Sequence, residues 1–286
     1  MSQQIMEAHY APNWKLTQAH GLLGYNCGYA ESPGCSSFNE HQQSLVWQLL
    51  GDAPITAEST VLDVGCGIGG PSGWIFERYR PRRLIGLEYL SSSAAAAESR
   101  WHGHARRPFF TQGDAHHLPM PDNSIDVIFN LESALHYHEK NDFLKQCVRV
   151  LRPGGVLCLG DITTTLKTLF APSWLNKLPG QLNPHTWLWS GEDYETAFEQ
   201  HGLELLWHEE ASRHVAMSLA DGRRELKRLG FFKTLPFKGR MLYLQFMEDC
   251  LAGAELTYDL FRVRKPDGTP APKRAKHAAH GHGHGH

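Results

Sequence analysis

The chain has 286 residues, with 28 Lys and Arg against 30 Asp and Glu and a formal net charge of −2. That length favours one core with elaborations over two equal domains, and the balanced charge excludes the electrostatic footprint of a nucleic-acid or anionic-membrane binder, leaving a small-molecule partner as the expectation. Six cysteines, Cys27, Cys35, Cys66, Cys147, Cys158 and Cys250, form neither a C-x-x-C pair nor a zinc spacing, so reduced thiols in a cytoplasmic protein are expected.

The opening MSQQIMEAHYAPNW has no basic start and no apolar run, so neither a signal peptide nor a membrane span is expected. Residues 1–58 read as an N-terminal helical cap. Between 59 and 162 short β-type runs alternate with helix-type segments, the signature of a parallel sheet with crossover helices. TVLDVG (60–65), RLIGLE (83–88), PFFTQGD (108–114), IDVIFN (125–130) and GVLCLGDI (155–162) are the predicted strands. GPSGWIFERY, SSSAAAAESRW and EKNDFLKQCVRVL are the predicted helices, the last closed by the breaker RPGG at 152–155.

Beyond 162 the pattern loosens into a Trp-, Pro- and Leu-rich insertion (163–190). The core resumes over 191–212 with a helix at 192–202 and a strand at 203–211. A second insertion (213–254) holds helical stretches near 218–229 and 238–254, and a last strand follows at 255–266. The predicted architecture is α/β, a doubly wound, Rossmann-like, mostly parallel sheet of seven strands with helical lid insertions. Ligands of such sheets bind beyond the carboxyl ends of the strands, where both insertions leave. The tail from 267 reads as flexible, and its ending HGHGHGH reads as an affinity tag, so its histidines enter no metal-site argument.

VLDVGCGIGG (61–70) carries Gly65, Gly67 and Gly70 in G-x-G-x-x-G spacing, with Glu88 about where a dinucleotide fold places its ribose-binding acid. A nicotinamide cofactor is one reading. Asp63 weighs against it, because a carboxylate at the first strand end repels a pyrophosphate held at the following helix. A ligand with an ammonium group and no phosphate, such as S-adenosylmethionine (SAM), is the better electrostatic match.

Residues from about 40 to 210, with the closing strand near 256–266, resemble the class I SAM-dependent methyltransferases. VLDVGCGIGG matches the glycine-rich first motif, GLEYLSS the acidic second strand end, QGDAHHLPMPDNSIDVIFN the adenine-contacting turn and fourth strand, and LRPGG the turn before the fifth strand. The resemblance implies that Gly65, Gly67 and Gly69 let backbone approach the methionine end of SAM, beside Asp63. It also implies that Glu88 accepts from the ribose hydroxyls, that Asp114 accepts from the adenine amino group with the Ala115 N–H facing a ring nitrogen, and that Asn130 lies under the sulfonium. S-adenosylhomocysteine (SAH) is the implied product.

NLESALHYHEK (130–140) resembles the E-S-x-x-H segment of small-molecule methyltransferases that tailor natural products. By that resemblance His136 is the base and Asp161 the acid that orients it; Glu132 is expected to hydrogen-bond within the cofactor loop. An imidazole suits a neutral base at physiological pH. A metal site from His116, His117, His136 and His138 is set aside for want of an acidic cluster. GLLGYNCGYAE (21–31) is similar to a segment that closes over SAM in the same subgroup, with Asn-Cys where that pattern has His or Phe. Tyr25 and Tyr29, together with Trp174, Trp187 and Trp189, are the candidate substrate contacts, and Phe231, Phe232, Tyr243 and Phe246 extend the aromatic lid. The expected function is methyl transfer to a hydroxyl oxygen of a polyketide, peptide or glycoside-like acceptor. C-methylation of a prenyl or sterol-like chain, a SAM-binding cyclase that transfers no methyl group, and a nicotinamide oxidoreductase stand as alternatives. Nothing in the sequence sets an oligomeric state.

Overall fold

The computed structural model describes residues 6–7, 24–165, 187–228 and 235–268, with side chains of the last segment described from 244 onward. Seven strands form one sheet: β1 (Thr60–Val64), β2 (Arg83–Glu88), β3 (Phe109–Gln112), β4 (Ile125–Leu131), β5 (Leu151–Thr163), β6 (Glu204–Glu210) and β7 (Thr257–Arg264). Their order is β3-β2-β1-β4-β5-β7-β6. The pairs from β3 to β5 are parallel, and β7 runs antiparallel to both neighbours. Strand order reverses between β1 and β4, so a crevice opens at their carboxyl ends.

The helices are α1 (Phe38–Leu50), α2 (Gly70–Tyr79), α3 (Ser91–Arg100), α4 (Lys140–Val150), α5 (Gly191–Gln200), α6 (Ser212–Arg228) and α7 (Leu235–Ala252). Alternation along each strand divides the apolar residues between two faces. Val61, Val127, Phe129 and Cys158 pack with α1, α2, α6 and the far end of α7. Leu62, Ile128, Leu157 and Leu159 pack with Phe143 and Cys147 of α4 and Tyr194 and Phe198 of α5. Both faces of β1, β4 and β5 are therefore dry, which is why these strands read as unbroken apolar runs.

Local signals set the element ends. Capping boxes at Ser37/Glu40 and Ser190/Asp193 start α1 and α5. α2 follows Gly69 in the left-handed region and carries Pro71 in its first turn. α3 has Leu90 at its N-cap and no capping side chain of its own. Instead the Glu7 carboxylate accepts from the Ser92 N–H and the Ser91 hydroxyl, both at 3.1 Å, and from the Ser92 hydroxyl.

Two sequence expectations need correction. RPGG does not precede the fifth strand but lies within it: Ile125 pairs with Leu151 and Val127 already with Val156, so the segment bulges out of the ladder around Gly154 at φ +78°. The helix expected from about 218 begins at Ser212, directly after β6, because the Glu210 carboxylate accepts the Ser212 N–H at 2.8 Å. No glycine or proline was needed to mark that start. Among the described residues no helix is long and apolar enough to cross a membrane.

Candidate active site

The carboxyl ends of β1, β2, β4 and β5 bring Asp63, Glu88, Asn130 and Asp161 to one edge of the sheet. Gly65, Gly67 and Gly69 all hold positive φ, at 76°, 55° and 76°, which only glycine adopts without strain. A Cβ on Gly65 would stand 1.9 Å from Ser133 Oγ, and one on Gly69 would stand 2.7 Å from the Phe110 ring. The first-strand loop and the loop after β4 therefore touch through a missing side chain.

Asp63 is buried and accepts a 2.5 Å hydrogen bond from the Ser72 hydroxyl on α2. Burial pushes its carboxyl up to about 7, the Ser72 bond opposes this, and nearby Glu88 adds to it. Glu88 accepts from the Gly67 N–H at 2.8 Å and the Leu90 N–H at 3.0 Å. Burial nevertheless holds it above the ordinary carboxylate range. Asp114 accepts from the His116 N–H at 2.9 Å and pairs with His116 Nδ1 at 2.7 Å. Ala115 beside it is buried. Asn130 donates to the Val64 carbonyl at 2.9 Å and to the Tyr137 hydroxyl at 3.0 Å. Its Oδ1 is buried with no hydrogen-bond partner among the described residues.

The loop after β4 holds His136 in a 3₁₀ turn, Ala134–His136. The peptide of Leu135 is gripped from both sides: its N–H donates to Asp161 at 3.1 Å, and its carbonyl accepts from the Trp187 N–H at 2.8 Å. Asp161 also accepts from the Tyr194 hydroxyl at 2.6 Å and lies 3.8 Å from Lys140 Nζ. Burial raises the Asp161 carboxyl, and Lys140 and Tyr194 counteract it; burial likewise lowers the Lys140 ammonium to about 8. Asp161 thus holds the turn through the backbone before His136. The described partners of Asp161 include the Leu135 N–H, the Tyr194 hydroxyl and the Lys140 ammonium. Lys140 donates as well to the Ala134 carbonyl, closing the turn from below.

Glu132 departs from its expected place in the cofactor loop. Its Oε1 accepts from the Cys27 N–H at 2.7 Å and from the Tyr258 hydroxyl of β7 at 2.8 Å. Tyr29 stacks on His214 with ring centroids 4.3 Å apart and donates from its hydroxyl to Glu209 at 2.9 Å. Tyr25 is half-buried. Trp187 is partly exposed and meets His138 edge-on at 4.8 Å, whereas Trp189 packs edge-on against Tyr194 at 5.1 Å, beside the core. Phe246 is partly buried against the core. Trp174, Phe231 and Phe232, and the side chain of Tyr243, lie outside the described residues. Sequence reasoning missed Lys140, Tyr194 and Tyr258. Among these, only Lys140 lies in a quoted motif, at the end of NLESALHYHEK.

The donor set fits a cationic, phosphate-free nucleoside ligand. Two buried carboxylates, Asp63 and Glu88, line the glycine loop, and the orphaned Asn130 Oδ1 is an acceptor rather than a phosphate-binding donor. Residues 62–159 match the family model described as "Methyltransferase domain". The chain is 39% identical over 139 residues to the erythromycin 3''-O-methyltransferase of Saccharopolyspora erythraea, covering 48% of this chain and 45% of that protein. It is 31% identical over 168 residues to the fatty-acid O-methyltransferase of Mycolicibacterium smegmatis, covering 56% and 60%. The match thus spans about half the length of these curated relatives. Among solved structures the [4+2]-cyclase SpnF superposes with a TM-score of 0.77 at 22% identity, over 93% of this chain and 97% of that one, which speaks for the fold alone. Over residues 62–159 the chain thus resembles the methyltransferase domain that the family model describes, and its core is similar to that of SAM-dependent O-methyltransferases.

Proposed function

We propose that the chain transfers the methyl group of SAM to a hydroxyl oxygen of a natural-product acceptor of polyketide, peptide or glycoside-like type, with His136 as the base. The observation that carries this reading is the placement of His136. It sits half-buried on a turn at the mouth of the β1/β4 crevice, one residue after a peptide fixed by Asp161 and Trp187. The erythromycin 3''-O-methyltransferase among the relatives supports an oxygen acceptor of this type.

Asp63, Glu88, Asp114, the Ala115 N–H and Asn130 would hold the cofactor, with the glycine loop against its amino-acid end. Bound there, SAM supplies a methyl group on a cationic sulfur. The chain's own work is to place the acceptor oxygen in line and to take its proton. The bound cofactor would supply the methyl group and retain the electrons of the bond it gives up, while His136 would take the hydroxyl proton of the acceptor and pass it to solvent at its exposed side. Placement contributes about 7–11 kcal/mol in well-oriented systems, and a positioned base about 10²- to 10⁴-fold. Trp187, Tyr25 and Tyr29 are assigned to the acceptor side of the crevice.

Replacing His136 with Ala tests the assignment. Turnover is expected to fall about 10²- to 10⁴-fold, with SAH affinity unchanged; an unaltered turnover number removes His136 from the base role. Methyl groups found only on carbon or nitrogen across a panel of acceptors would overturn the oxygen assignment. Binding of SAM without formation of SAH would overturn methyl transfer itself and favour the cyclase reading.

A further inference from the structure

Glu132 combines three features that packing alone does not require. It follows β4 directly with φ +50°, a left-handed conformation that a non-glycine side chain adopts at a cost. Its N–H donates to the Gly160 carbonyl of β5 at 2.8 Å. Its carboxylate, partly buried, spends one oxygen on two donors from distant parts of the chain, the Cys27 N–H and the Tyr258 hydroxyl. Strain of this kind persists where the surroundings over-determine it, and such positions gather at working sites.

The Cys27 peptide is held on its other side too. Its carbonyl accepts from the Ser218 hydroxyl of α6 at 2.8 Å, and the Tyr29 N–H donates to the His41 carbonyl at 2.8 Å. The segment carrying Tyr25 and Tyr29 therefore hangs between α1, α6 and Glu132. Three residues beyond Glu132, the Leu135 peptide is fixed by Asp161 and Trp187.

We propose that Glu132 is a positioning residue that locks residues 24–30 of the acceptor side and the turn carrying His136 into one fixed relation. The acceptor is then seated by one segment and deprotonated from the other without either shifting against its partner. This inference rests on the reading of His136 as the base, but its test does not use turnover.

The test is hydrogen exchange by mass spectrometry on the full chain saturated with SAH, comparing the native protein with Glu132→Ala and Glu132→Gln. In Glu132→Ala, amides of 24–30 and of 133–137 should both exchange about tenfold faster or more, as local opening becomes easier, while the strand-end loops of β1 and β2 and the SAH affinity stay unchanged. Glu132→Gln should restore most of the protection, since its amide oxygen still accepts from the Cys27 N–H. Loosening of only one segment, of neither, or of the whole sheet overturns the proposal. If Glu132→Ala does not fold, Tyr258→Phe removes one donor and leaves the carboxylate; a smaller loosening of the same two segments is expected, and unchanged exchange overturns it. Loss of the His136 assignment would appear in turnover and leave these exchange results as they are.

Discussion

The two sides of the crevice are built in different ways. On the cofactor side the contacts are shorter in sequence: Ser72 to Asp63 spans nine residues, Leu90 to Glu88 two, Asn130 to Tyr137 seven, Gly67 to Glu88 21 and Asn130 to Val64 66. On the acceptor side they are long. Cys27 and Glu132 are 105 residues apart, Tyr258 and Glu132 126, Tyr29 and Glu209 180, and Cys27 and Ser218 191. A site made of these shorter contacts needs only the neighbouring strands β1, β2 and β4 in place, whereas one made of hydrogen bonds spanning more than a hundred residues exists only when the whole sheet is assembled. Damage on the cofactor side should therefore show first in binding, and damage on the acceptor side first in stability.

The largest expected effect lies on the cofactor side. Gly65→Ala would add a Cβ 1.9 Å from Ser133 Oγ in a backbone conformation that alanine resists. SAH affinity should fall by more than about a hundredfold, with the melting temperature lowered by about a few degrees from the strained backbone. A calorimetric titration checks this, and affinity within a few-fold of native would mean that the two loops separate freely.

On the acceptor side, Tyr194→Phe removes the hydroxyl that donates to buried Asp161. A buried acceptor deprived of a donor costs about 1–3 kcal/mol, to be read as a lower urea midpoint with an unchanged slope. SAH affinity should stay near native. A variant as stable as the native protein but weak for SAH would reverse the contrast between the two sides.

The smallest effect sharpens the cofactor side. Burial, against the Ser72 bond and with help from Glu88, holds the Asp63 carboxyl at about 7. An ammonium beside it favours the ionised form, so binding should release a fraction of a proton near pH 7, and affinity for SAH should rise as pH rises from 6 to 8. Titrations in buffers of different ionisation enthalpy measure that proton. Asp63→Asn should abolish its release, and equal release from the variant would assign it elsewhere.

The same contrast explains what could be read from the sequence. The strands of the parallel half and the residues Asp63, Glu88, Asp114 and Asn130 were legible because each stands at the end of an apolar run and beside a glycine or turn. Asp161 was legible as a strand-end acid, but its engagement with the Leu135 peptide was not, since a backbone donor leaves no mark on residue type. Glu132 was visible as part of a motif, yet its partners lie on a segment and a strand more than a hundred residues away on either side. Tyr194 and Tyr258 sit in ordinary amphipathic and alternating patterns, where a tyrosine reads as core until its hydroxyl has found a carboxylate. The start of α6 was lost for the opposite reason: the cap is a glutamate of the preceding strand, and no breaker intervenes.

The borrowed cap on α3 bears on how this protein is handled. That helix begins immediately after the strand end that supplies Glu88, and its first turn is satisfied by a carboxylate only seven residues into the chain. Loss of Glu7, by substitution or by a cut that separates it from the sheet, would leave that turn uncapped at the cofactor end of the sheet, 84 residues away in sequence from Ser91.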